Sequence, residues 1–268
     1  MPPGYLKIIC GIDPLHKENM RFLLYNIRYA TGHQNGYHLP LPFSGFFKKT
    51  EINLQRIINF ISSINPDIVA LVEVDSGSYR TGKFCQAKII AEQLGLNYVV
   101  ESKYQGDSLA QIVPVLNRQS NALLTRQSIE KYKFYYFEQG VKRLIIQTDL
   151  HEITIFIVHL SLKYRHRQNQ LEFLHNLIEA TDKEVIIAGD FNTFWGSREL
   201  KLFLAATGLK NANVSNAPSH PSHGPKRQID FILHSSGIRV DNFYIPDVRL
   251  SDHSPLVCDF SCVLGDAI

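Results

Sequence analysis

Four cysteines in 268 residues are too few for a disulfide scaffold, and Cys10, Cys85, Cys258 and Cys262 form neither a CxxC pair nor a zinc-ligand spacing. Cys258 and Cys262 fall in an alternating apolar run and read as small core residues. No apolar stretch approaches the roughly 20 residues of a membrane-spanning helix. The run from Tyr5 to Ile12 is interrupted by Lys7 and too short for a signal-peptide core, which leads us to expect a soluble, cytoplasmic protein. Strong charge of either sign is also missing. With 28 Lys+Arg against 25 Asp+Glu the formal charge is +3, which neither demands nor excludes a polyanionic partner. Low-complexity segments, linkers and repeats of 20 to 50 residues are absent too, so the chain is expected to be one domain, and a monomer is the expected state.

What is present is an apolar content of 44% with 11% aromatic residues, enough for a large core. Arg21 to Ile27 reads as a buried strand, and Ile52, Ile57, Ile58, Ile61 and Ile64 then recur at helical spacing until Asn65-Pro66. Asp67-Ile-Val-Ala-Leu-Val-Glu73 predicts a second strand, residues 84–94 a helix and residues 97–101 a third strand. Four runs between Asn121 and Leu160, separated by short polar turns, suggest antiparallel strands. Alternation then resumes with helices around Leu171–Ile178 and Glu199–Ala206 and strands at Glu184–Ala188, Gln228–Leu233 and Pro255–Phe260. Residues 1–19 are expected to be a loosely ordered extension, residues 20–262 the domain and residues 263–268 a tail.

Polar residues repeatedly end these buried strands: Asn26, Glu73, His159, Asp190 with Asn192, Asp230, and Asp252 with His253. In a packed α/β protein such ends converge on one rim, where ligands bind. Each alone has a bland explanation, such as a turn-orienting Asp190 or an Asp230 paired with Arg227. Together they suit hydrolysis of a phosphate ester, because hard carboxylates hold Mg²⁺ or Mn²⁺ and a carboxylate beside an amide can orient a water. Asp230 could fix the tautomer of His253 and raise its pKa, giving a cation for the pentacoordinate phosphate.

Gly189-Asp190-Phe191-Asn192, Ser251-Asp252-His253-Ser254-Pro255-Leu256, the Asp67–Glu73 strand and Asn26 resemble, also in their order along the chain, the signature set of the endonuclease/exonuclease/phosphatase (DNase I-like) superfamily. Ser120–Arg126 and Gln228–Leu233 resemble its central strand and its penultimate acidic strand. The resemblance implies an α/β fold, a four-layer α/β/β/α sandwich of two mixed sheets packed face to face. It also implies Glu73 as principal metal ligand with Asn26 and Asp252 near the metal, Asp190 with Asn192 at the attacking water, and His253 assisted by Asp230 on the phosphate. His159 is similar to a second active-site histidine of several branches. Tyr25-Asn26-Ile27-Arg28 and Val72-Glu73-Val74-Asp75 depart from the exonuclease III pattern, and the likeness is greatest to the broad bacterial group of metal-dependent hydrolases.

Substrate contacts are expected from Asn121, Arg80, Arg143 and Arg167, and from a long aromatic loop over residues 32–47 that could serve base stacking or a lipid tail. Lys163, Arg165 and His166 could meet a phosphate backbone, whereas His220 and His223 read as loop residues. The expected activity is therefore a Mg²⁺- or Mn²⁺-dependent phosphodiesterase acting as an endo- or exonuclease, with nucleic acid ahead of a lipid or inositol-phosphate substrate. A binding module that kept the fold without catalysis is the competing reading, and the completeness of the acidic and histidine set weighs against it.

Overall fold

The structure is a computed structural model that describes residues 5–7, 19–32, 50–104, 115–138, 142–194 and 196–263. Residues 33–47 of the aromatic loop, Cys10 and residues 264–268 of the tail lie outside this set.

Two sheets form the centre. The first contains β1 (Tyr5–Lys7), β2 (Met20–Asn26), β3 (Ile68–Asp75), β4 (Asn97–Ser102), β5 (Gln119–Thr125), β12 (Ile238–Tyr244) and β13 (Leu256–Cys262), in the order β1-β4-β5-β3-β2-β13-β12. The second contains β6 (Lys131–Tyr136), β7 (Leu144–Asp149), β8 (Ile153–His159), β9 (Glu184–Asp190), β10 (Lys210–Asn211) and β11 (Asp230–His234), in the order β10-β11-β9-β8-β7-β6. Helices α1 (Glu51–Ile64) and α2 (Gln86–Leu94) pack on the first sheet, and α3 (Tyr164–Glu179) and α4 (Lys201–Thr207) on the second. The chain thus has the expected four-layer α/β/β/α sandwich of two mixed sheets.

Side-chain alternation builds the layers. Along β2, Phe22 and Leu24 face the second sheet, where they meet residues such as Ile155, Ile157 and Ile186. Their neighbours Leu23 and Tyr25 face the other way, onto Ile57 and Ile61 of α1. In the second sheet Ile155 and Ile157 point to the centre while Phe156 and Val158 pack against Leu171 and Leu174 of α3. A strand buried on both faces carries no polar alternation, which explains the continuous apolar runs in the sequence. Among the described residues no helix is long and apolar enough to cross a membrane.

Two elements differ from the sequence reading. Within the stretch read as an extension, Tyr5–Lys7 pairs antiparallel with β4 as an edge strand. Ile238–Tyr244 forms β12 on β13 although nothing in its sequence stood out, because it is a mostly solvent-facing edge with a register shift between Val240 and Asn242.

The topology brings the two parallel pairs to one rim. β2 runs parallel to β3, and β8 parallel to β9, so the carboxyl ends of all four strands lie where ligands bind in open α/β sheets. β13 pairs antiparallel with β2, which sets the Ser251–Pro255 turn that precedes it beside Asn26.

Candidate active site

Strand register places three polar side chains in a row at that rim. His159, the last residue of β8, is the pairing partner of Asp190, the last residue of β9, and Asp190 is in turn the partner of Asp230, the first residue of β11. Behind Asp190, Gly189 lets β9 lie flush on β8: a Cβ there would sit 1.9 Å from the Val158 carbonyl oxygen. Opposite this row, Asn26 ends β2. Glu73 stands in β3 at φ 56°, where the pairing with β5 slips between Leu71 and Val74. Such a bulge re-aims a side chain that regular alternation would send into the helix or sheet layer.

The contacts close across the two sheets. His159 Nε2 lies 3.2 Å from Asp190 Oδ2 and 3.9 Å from Glu73 Oε1. Asn26 Nδ2 donates to Asp190 Oδ2 at 3.3 Å and lies 3.4 Å from His253 Nε2. His253 Nδ1 is 2.9 Å from Asp230 Oδ2, which also accepts from Ser219 Oγ at 2.6 Å. Asn192 folds back through its own N–H to Asp190 Oδ1 at 3.0 Å, while its side-chain amide donates to the Leu160 carbonyl at 2.9 Å. Asp252 faces Arg28 Nε at 3.5 Å.

The electrostatics separate the two histidines. Burial pushes the His159 pKa down, and the ammoniums of Lys142 and Lys103 push it further, to about 3, against the pull of Asp190, so the ring is neutral. Burial would lower His253 as well, but Asp230, Asp190 and Asp252 lift it to about 10, so it is an imidazolium at neutral pH. Burial, joined by Asp190, raises the Asp230 carboxyl above its usual value against the pull of His253. For Asp190, burial opposes ionisation, yet His159, His253 and Lys142 outweigh it and hold the carboxyl below the ordinary range. Glu73 behaves alike, its burial outweighed by Lys103, His159 and Lys142, and so does Asp252 through His253, Arg28 and His220.

The oxygen-rich donors suit a hard divalent cation. Among the described residues, donor atoms within 4.8 Å of one another form two trios, Asp190 with Asp230 and His253, and His220 with Asp252 and His253. Glu73 belongs to neither trio and approaches Asp190 from the His159 side. His220, read from the sequence as a loop residue, packs against His253 with ring centroids 4.7 Å apart and the planes inclined at 52°.

The expected substrate contacts divide. Asn121 is buried on β5, its Oδ1 accepting from the Glu73 backbone N–H at 3.3 Å and its Nδ2 without a partner among the described residues. Arg80 is buried against Asp75, with Nε 2.5 Å from Oδ2 and its guanidinium 4.2 Å from the centre of the Tyr29 ring, but Nη2 has no partner among the described residues. Arg143 is half-buried just before β7. Arg167 is a correction: its guanidinium is 1% exposed and is taken up by Glu199 and by the carbonyls of Ser161 and Leu162, so it braces the turn after β8 instead of reaching substrate.

Two site residues escaped the sequence reading. Lys103, directly after β4, is buried at 2% exposure with Nζ 3.1 Å from His159 Nδ1 and 3.5 Å from Tyr29 Oη. Lys142 contacts the other ring nitrogen, Nε2. Lys103 obeys the pattern that exposed the others, a polar residue ending an apolar strand, whereas Lys142 sits ahead of its strand and carries no such mark. Burial, together with Lys142 and Arg80, lowers the Lys103 pKa to about 7 against the pull of Glu73 and Asp190.

A model of the Endonuclease/Exonuclease/phosphatase family matches residues 25–253. No curated protein matches the sequence. Among solved structures, the chain is similar to an endonuclease/exonuclease/phosphatase family protein from Bacteroides thetaiotaomicron, at 14% identity and TM-score 0.70 over 92% of this chain and 98% of that one. It is also similar to an endonuclease/exonuclease/phosphatase from Beutenbergia cavernae, at 17% identity and TM-score 0.69 over 92% and 72%. The human Nocturnin catalytic domain with bound sulfate anion shares 18% identity and TM-score 0.65 over 97% of each chain. At these identities the likeness is one of fold.

Proposed function

The chain belongs to the endonuclease/exonuclease/phosphatase family, whose members generally hydrolyse phosphate esters, and from this premise we propose that it is a divalent-metal-dependent phosphodiesterase acting on nucleic acid. The observation that carries the reading is the row His159–Asp190–Asp230 facing Asn26, Glu73 and His253 across the two sheets. Glu73, Asn26 and Asp252 would hold Mg²⁺ or Mn²⁺, which when bound supplies charge neutralisation for the phosphoryl oxygens.

The side chains perform the remaining work. Asp190, kept ionised by its neighbours, accepts a proton from the attacking water as the new P–O bond forms, while the ester P–O bond opposite it breaks and the departing oxygen takes up a proton from solvent. His159 stays neutral, and its Nε2–H donates to Asp190 Oδ2, which fixes the direction of that carboxylate. His253, protonated and held by Asp230, offers a cation to the charge that develops on the phosphate. Asn192 is locked by Leu160 and keeps the turn after Asp190 in one conformation.

Nucleic acid is favoured by the surface just beyond His159. Leu162, Lys163, Tyr164 and Arg165 are all exposed in sequence at the start of α3, an alternation of apolar and cationic side chains that suits stacked bases and a phosphate backbone. The test is a panel of plasmid DNA, single-stranded RNA, abasic duplex, phosphoinositide and sphingomyelin, with and without EDTA. Metal-dependent cleavage of a nucleic acid is expected, and survival of every nucleic acid in the presence of Mg²⁺ and Mn²⁺ would refute the reading.

A further inference from the structure

Around Glu73 the described residues present hydrogen-bond donors that lack acceptors. Asn121 Nδ2 and Arg80 Nη2 are buried and have no partner among the described residues. The Lys103 ammonium has three protons, and its contacts among the described residues are Tyr29 Oη and His159 Nδ1. His159 Nε2 faces Asp190 Oδ2, and the tautomer that carries its proton there leaves Nδ1 as the lone pair for Lys103. Lys142 Nζ lies at the Nε2 edge of the same ring, so two lysine side chains flank His159. Tyr29 lies between two of these cations, with Arg80 4.2 Å and Lys103 5.5 Å from its ring centre.

A buried donor without an acceptor is costly, and a buried ammonium more so. The two buried donors of Asn121 and Arg80, with Lys103 directly after β4 and the half-buried Lys142 ahead of β7, make a site that is rich in donors and asks for a ligand made of acceptors. A phosphate with three unsubstituted oxygens is such a ligand, and its dianion would favour the ammonium form of Lys103 beside Lys142, whereas the internal phosphate of a strand carries one charge and two free oxygens.

We propose that Lys103 and Lys142, with Arg80 and Asn121, form a binding position for a terminal phosphomonoester beside the reacting centre, so that the preferred substrate is a strand carrying a phosphate at its end. The assignment to a strand end rests on the nucleic-acid reading above; the terminal phosphate itself does not.

Binding is measured on the full chain in EDTA, where turnover is suppressed, by calorimetry with inorganic phosphate, glycerol phosphate, and short oligonucleotides bearing a 5′-phosphate, a 3′-phosphate or hydroxyl ends only. The wild type is expected to bind one phosphorylated end at least tenfold more tightly than the hydroxyl-ended strand. Lys142→Met and Lys103→Met should bring the two within about twofold, while the remote Lys88→Met keeps the preference. Lys142 is only half-buried, so its variant remains informative if Lys103→Met fails to fold. Tight binding of glycerol phosphate without gain from the oligonucleotide would support the site and assign its phosphate to a small molecule. Equal affinity of the wild type for phosphorylated and hydroxyl ends with no tight binding of glycerol phosphate, or a preference that survives Lys142→Met, overturns the proposal. A metal-dependent cleavage assay on the same strands separates the two readings. Cleavage that ignores the end leaves the nuclease standing without this site. Selective binding without cleavage leaves the site standing without the nuclease.

Discussion

His253 Nδ1 and Asp230 Oδ2 lie 2.9 Å apart at the base of the site, and the carboxylate is fastened from behind by Ser219 Oγ at 2.6 Å. The pair sets the charge of the imidazole that faces Asn26 and Asp190, because the carboxylates lift His253 to about 10 although burial alone would lower it. The folded pKa is above the ordinary value near 6.5, so the stabilisation from this proton is fully present below that value and is lost as the pH rises through about 10. In Asp230→Asn the imidazole should therefore titrate several units lower in the metal-free protein, and turnover at neutral pH should fall by roughly 10²- to 10³-fold. Histidine NMR titration reads the first effect directly. A His253 resonance that titrates near neutrality in both proteins would remove the basis for its cationic role.

Asp190 is the hinge between the two halves of the site, accepting from Asn26 at 3.3 Å and meeting His159 at 3.2 Å. Asp190→Asn keeps the shape of the side chain and removes the base. Turnover with Mg²⁺ or Mn²⁺ should drop on the order of 10²- to 10⁴-fold, with the circular dichroism spectrum unchanged. Wild-type turnover should likewise vanish in EDTA and return on adding metal. Retained turnover in the folded Asp190→Asn variant would move the water-activating role to another group.

The strand ends were legible in the sequence for a physical reason. A strand buried on both faces tolerates polar residues only where it leaves the core, so Asn26, His159, Asp190 and Asp230 stand out against the apolar runs around them. Glu73 was visible for the same reason, but the bulge that turns it was not, since its φ of 56° depends on the partner strand β5 and not on the local sequence. Arg167 misled because a cation near the start of a helix ordinarily faces solvent. Only the tertiary structure sets Glu199 against it and encloses both. Edge strand β12 carries exposed Arg239, Asp241 and Asn242 and so had no apolar run to reveal it.

Gly189 offers a test of how the row at the rim is built. It is paired with Val158 across the parallel β8–β9 ladder, and an added Cβ would lie 1.9 Å from that residue's carbonyl oxygen. Backbone cannot yield as a side-chain tip can. Gly189→Ala should push the strands apart just before His159 and Asp190, costing about 3 kcal/mol or more by urea unfolding and lowering turnover in the molecules that remain folded. A variant as stable as the wild type would mean that β9 can shift on β8 without loss, and that the register of the row is looser than the ladder implies.

Arg167 provides the complementary case, a cation beside the site whose work is structural. Its Nε lies 3.0 Å from Glu199 Oε2, and its Nη1 donates to Ser161 at 2.8 Å and to Leu162 at 2.9 Å, the two residues that follow the turn out of His159. Truncation would take the guanidinium away from the Glu199 carboxylate, whose side chain is 4% exposed, and release two carbonyls at once. Arg167→Ala should cost about 3–5 kcal/mol of stability, the range for breaking a buried ion pair. Lysine cannot reproduce the forked contacts, so Arg167→Lys should recover only part of that loss. Chemical denaturation measures both variants, and steady-state kinetics on the folded fraction supplies the contrast. Because the guanidinium does not reach the solvent side of the rim, KM for a nucleic-acid substrate should remain close to that of the wild type. A raised KM with unchanged unfolding free energy would instead make Arg167 a substrate contact, and the enclosure by Glu199 would not describe the working protein.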